Sequence, residues 1–129
     1  MSKITGLITY AGKFDPRIVE IDSDNFLDEV YKIIDCRCID IVTGIHNDNY
    51  VDMVVDDEGL LKDTAITNPI AWYLYSKCDP DYPIVGNVVL VGTNDEGETV
   101  DIPQVFLDEL DEIVMSARDC TFRAIFNID

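Results

Sequence analysis

The sequence predicts an α+β domain: a mainly antiparallel sheet of about five or six strands with two principal helices. Three observations lead there. Short β-branched runs recur between clusters of turn residues, two stretches space their apolar residues helically, and the strands come in neighbouring pairs. At 129 residues the chain is expected to form a single domain, 1–129.

Ile4 to Tyr10 reads as a strand with Ile4, Gly6, Ile8 and Tyr10 on one face, and Arg17 to Ile21 alternates again after a Gly- and Pro-containing loop. Asp22-Ser23-Asp24-Asn25 is a run of N-cap residues, and Phe26, Val30 and Ile34 follow at i, i+4, predicting a helix over about 25–35. Asp28 and Glu29 fall in its first turns, where the helix dipole favours acids. Cys38 to Ile45 and Tyr50 to Asp56 read as a hairpin around the polar turn His46-Asn47-Asp48-Asn49. Asp57-Glu58-Gly59 is a tight turn, with Gly59 suited to positive φ.

Residues 63–83 are the least regular part. Within them Asn68-Pro69 starts a short helix, Asn68 as cap and Pro69 at the first helical position. Ile84 to Gly92 is a fully apolar strand, expected at the centre of the sheet. Ile102-Pro103 opens the second long helix, with Phe106, Leu110, Ile113, Val114 and Ala117 on its inner face. The tail, residues 120–129, alternates as a strand would between Phe122 and Ile128.

Charge narrows the function more than the fold does. Nine Lys and Arg stand against 26 Asp and Glu, a net charge of −17, while 47% of residues are hydrophobic. That apolar content excludes a disordered acidic tail. The deficit of bases argues against direct gripping of nucleic-acid phosphates. No apolar run reaches the ~20 residues of a membrane span, and the first residues have no secretory pattern, so a cytoplasmic protein is expected. Residues 1–20 hold Lys3, Lys13 and Arg17 against Asp15 and Glu20, so the surplus acid lies entirely in the rest of the chain.

The run Val54-Val55-Asp56-Asp57-Glu58-Gly59-Leu60-Leu61-Lys62-Asp63 carries a resemblance, together with Asn68-Pro69, Ala71, Ile84-Val85-Gly86-Asn87, Val91-Gly92 and Glu96-Gly97. Over roughly residues 3–115 the chain resembles the family called domain of unknown function 3846. The resemblance implies a protein of phages, plasmids or other bacterial mobile elements, with no catalytic residues. Residues 72–82 look like an insertion relative to that pattern, and the tail after about residue 119 looks additional.

Chemistry-bearing constellations are sparse. A Ser or Cys nucleophile needs a base, and the only histidine, His46, sits in a turn. Cys36-x-Cys38 lacks the spacer of a zinc or thioredoxin site, and Cys78 and Cys120 stand alone, so free thiols are expected. The acids follow no EF-hand order and the glycines no phosphate-loop order. No enzyme activity, metal or cofactor is therefore expected.

Two features remain as candidate sites. Asp108, Glu109, Asp111 and Glu112 cluster on the second long helix, where residues three or four apart lie ~5–6 Å apart at Cβ, a spacing comparable with nucleic-acid phosphates. They suggest a face for a basic host protein, such as a nucleic-acid-binding nuclease, in a monomer or homodimer that itself binds neither nucleic acid nor membrane. The alternative is a small-ligand pocket, for a nucleotide among others, lined by Trp72, Tyr73, Tyr75 and Tyr82.

Overall fold

The computed structural model describes residues 2–43, 45, 50–61 and 65–126. Six strands form one antiparallel sheet: β1 (Lys3–Thr9), β2 (Arg17–Asp22), β3 (Ile39–Val42), β4 (Val51–Asp56), β5 (Val88–Thr93) and β6 (Thr99–Val100). Their spatial order is β2-β1-β5-β4-β3, and β6 pairs with β5. The helices are α1 (Phe26–Ile34), α2 (Pro69–Ser76), α3 (Gln104–Asp108) and α4 (Leu110–Phe126). This is the α+β class the sequence predicts.

Register assigns the strand residues to two cores. Leu90 faces both Leu7 and Met53, and this row joins Val51, Val55 and Val88 beneath Ile70, Leu74, Phe106, Ile113 and Ala117 of the later helices. Val89 faces Ile8 and Val54, and with Ile4, Ile21 and Val91 that row is covered by Val30 and Ile34 of α1. The sheet is thus buried on both faces, which explains why β5 reads Val-Val-Leu-Val without alternation. Val30 and Ile34 bury the predicted i, i+4 stripe, each worth ~1.5–3 kcal/mol.

Of three described glycines whose Cβ would come closer than 3.0 Å to another atom, Gly92 and Gly59 bear on the site. A Cβ on Gly92 would collide with the carbonyl oxygen of Asp101, so β5 can pass the link into α3 only without a side chain. Gly59 meets Val85 Cγ2 in the same way at 2.8 Å. Gly59 is not at positive φ, contrary to the sequence expectation; it opens a 3-10 turn over Gly59–Leu61, and packing is what excludes a side chain.

Two further expectations are corrected, and one strand is new. The second long helix is broken at Glu109, whose φ of −93° and ψ of 1° end α3 before α4 begins. The strand expected in the tail is helix to Phe126: Phe122 and Phe126 meet one turn apart with ring centroids at 4.6 Å, and Arg123 pairs with Asp119 at 3.0 Å. The two-residue β6 follows the turn at Gly97 and was not foreseen. His46 and the turn around it, and residues 127–129, lie outside the described residues.

Candidate partner-binding site

Residues 68–85 shape the candidate surface, beginning with the cap of α2. Asn68 is fully buried and its Oδ1 accepts from Ala71 N–H at 3.2 Å. Its Nδ2 donates to Thr9 O, Thr9 Oγ1 and Gly86 O at 2.9–3.0 Å, so one side chain fastens the helix start to β1 and to the approach to β5. At the other end Lys77 and Cys78 both adopt left-handed φ, 53° and 64°. That turn folds the chain back until Asp79 O accepts from Trp72 Nε1 at 2.8 Å. The returning segment then presents Asp81 and Tyr82 beside Tyr75.

The predicted aromatic set therefore divides. Trp72 is only 8% exposed and its indole N–H is already used. Tyr73 packs against the core below α2 and α4, with Lys77 Nζ 5.5 Å from its ring centroid. Tyr75 and Tyr82, 41% and 58% exposed, instead line a groove of about 450 Å³ at the β3 edge of the sheet. Its apolar side is formed by Val42, Val55, Leu60, Ile84 and the two tyrosines. Asp40, Asp56, Asp57 and Asp81 also line it, and no Lys or Arg does among the described residues. Asp40 Oδ1 accepts from Ile41 N–H at 2.9 Å, and Asp56 Oδ1 from Glu58 N–H at 2.9 Å. Beside the groove, Arg37 and Glu58 form a two-bonded ion pair of 2.7 and 3.1 Å.

Sequence reasoning missed the groove's acids and its leucines. Asp40, Asp57 and Asp81 are distant in the chain and meet only through the sheet and the fold-back after α2. One local signal was available: Leu60-Leu61 follows a turn and fits neither a strand nor a helix period that would bury it, and these side chains are 64% and 81% exposed.

The predicted acidic set lies elsewhere, at the α3–α4 corner. Asp108, Glu109, Asp111 and Glu112 are all exposed. Asp108 accepts from Gln104 Nε2 at 2.9 Å. Glu109 and Glu112 border a shallow cleft of about 140 Å³ with Tyr73 and Ser116. The last turns of α4 carry a different surface, with Met115, Phe122, Ile125 and Phe126 exposed.

Among the described residues no three His, Cys, Asp or Glu side chains converge as a metal site, and no helix is long and apolar enough to cross a membrane. Burial pushes the Cys78 thiol up to about 11, against a smaller opposing effect from Thr121, whose hydroxyl lies 3.8 Å from the sulfur. Burial also raises the Asp52 carboxyl, and its Oδ1 is enclosed with no hydrogen-bond partner among the described residues.

A family model described as Domain of unknown function (DUF3846) matches residues 4–114. The chain belongs to the DUF3846 family. No curated protein and no solved structure matches it. The DUF3846 region runs from β1 into the first turns of α4, so it includes both the groove and the acidic corner. The apolar turns of α4 beyond it lie outside the DUF3846 match.

Proposed function

We propose that the protein is a non-enzymatic interaction module that binds a basic partner protein through its acidic surface. The observation that supports this best is the α3–α4 corner. Four exposed carboxylates stand there on adjacent turns, and the sequence from Ile102 to Ala117 itself contains no Lys or Arg. Such a surface suits a groove that otherwise holds nucleic-acid phosphates. In a phage or mobile element, the setting the family resemblance implies, the partner would be a basic host nuclease and the effect inhibition by mimicry.

The test is capture from a bacterial host lysate at low salt, with duplex DNA as competitor. Reversing Asp108, Asp111 and Glu112 together to Lys is expected to abolish capture while circular dichroism stays unchanged. Raising the salt is expected to release the partner, because exposed ion contacts are screened beyond ~10 Å at 0.1 M. Capture that survives both changes refutes the proposal. The nucleotide alternative has the exposed Tyr75 and Tyr82 in its favour and the rim carboxylates against it, since they repel phosphate. A thermal-shift series with nucleotides separates the readings: a ligand at 100 times its Kd adds ~2.7 kcal/mol.

A further inference from the structure

We propose that the groove beside β3 binds an extended segment in which Arg or Lys side chains alternate with apolar ones. This rests on the reading that the partner is basic and adds where, and in what form, it docks.

The argument joins composition to position. An acidic rim alone would attract any cation weakly, and an apolar groove alone would take any greasy side chain. Here both line one depression: the exposed Asp40, Asp57 and Asp81 together with the exposed Leu60, Tyr75 and Tyr82. A ligand that satisfies both must carry positive charge and apolar surface at short intervals. An extended chain lying edge-on in the groove does this, because successive side chains point to opposite sides, the cationic ones toward the carboxylates and the apolar ones toward Leu60 and the tyrosines.

Position favours the same form. β3 is the last strand on its side of the sheet, so a segment in the groove lies along a strand edge. Cys38 O accepts from Asp57 N–H on the β4 side, which turns the backbone groups of Ile39 and Ile41 outward. The Ile41 N–H is already held by Asp40 Oδ1, so this edge is partly blunted. The side-chain groove is therefore the main source of recognition, and the rim charges select cationic residues. A segment of about six residues, roughly 20 Å when extended, is a fitting probe.

The test titrates the isotope-labelled full chain with three synthetic peptides of that length: alternating Arg and Leu, alternating Arg and Ser, and alternating Glu and Leu. The Arg–Leu peptide is expected to shift the backbone amides of Asp40, Val42, Leu60, Tyr75 and Tyr82. The Arg–Ser peptide is expected to bind at least tenfold more weakly, and the Glu–Leu peptide not at all. Tyr82→Ser and Asp81→Asn, both exposed and so tolerated by the fold, are each expected to weaken the Arg–Leu peptide at least fivefold. Equal binding of the Arg–Ser peptide, shifts confined to Asp108–Glu112, or no shift with the Arg–Leu peptide overturns the groove. Any of these leaves the basic-partner reading standing, because that reading fails only if capture ignores the reversal of Asp108, Asp111 and Glu112.

Discussion

At the α3–α4 corner the carboxylates stand on adjacent helical turns in open solvent; in the β3 groove they surround an apolar surface. The two regions share a charge sign and differ in what they offer a partner. Exposed ion contacts are worth ~0–1 kcal/mol each and fade with salt. An apolar surface adds ~25 cal/mol per Å² buried, and salt does not screen it. On the proposed reading, the corner would supply fast, salt-sensitive attraction and the groove would hold what arrives. Net charge alone would have treated them as one surface.

Breaking the supports of each region separately tests that division, and the largest effect is expected at Gly92. Gly92→Ala forces Asp101 away and disturbs the entry to the corner, where Thr5 N–H donates to Asp101 Oδ1 and Ile102 N–H to Thr5 O, both at 2.8 Å. A loss of ~3 kcal/mol in urea unfolding is expected; an unchanged midpoint would mean that the link simply swings aside. Asn68→Ala acts on the groove side, since it unfastens the helix that carries Tyr75. It leaves Ala71 N–H, Thr9 O and Gly86 O without their partner and is expected to cost ~2 kcal/mol by the same measurement.

Cys78 sharpens the comparison by pH. Its contact with Thr121 ties the turn after α2 to α4. The unfolded thiol releases its proton near the ordinary value of 9.0, while the folded thiol holds it to about 11. Between those values the folded state binds more protons, so stability falls as pH rises from about 9 and levels off beyond about 11. Cys78→Ala is expected to flatten that part of the pH–stability curve, and an unaltered slope would count against the burial of this thiol.

The smallest effect is expected at Asp52, on the opposite face of the sheet from the groove. Its carboxyl is raised by burial, so the folded state disfavours the ion once pH exceeds the ordinary 3.8. Asp52→Asn is expected to raise stability slightly at neutral pH, since solvent screens much of the cost of a partly exposed carboxylate. The gain should shrink as the pH falls toward the carboxylate range, which thermal melts at several pH values would show.

Local patterns were legible and meetings between distant segments were not. The stripe of Phe26, Val30 and Ile34 identified α1, and Asn68-Pro69 identified the start of α2, because cap and period act within one or two turns. The tail was misread because Phe122, Ala124 and Phe126 alternate as in a strand, while the contact that decides the matter is i, i+4. The acidic corner was visible as neighbours in sequence. The groove was only partly visible: Tyr75 and Tyr82 were named, but Asp40, Asp57 and Asp81 come together only after three segments pack. Trp72 shows the converse: named for the alternative pocket, it is buried and its N–H is taken by its own chain.

The family match stops at residue 114, in the middle of a helix that continues to Phe126. The border of likeness and the border of folding therefore do not coincide. Ala117, beyond the match, is fully buried, and Thr121 covers the thiol at the end of α2. A chain cut at 114 would lose part of its own roof rather than a dispensable appendage. For this protein the matched region is shorter than the packed core, because α4 beyond residue 114 still contributes a buried side chain to it.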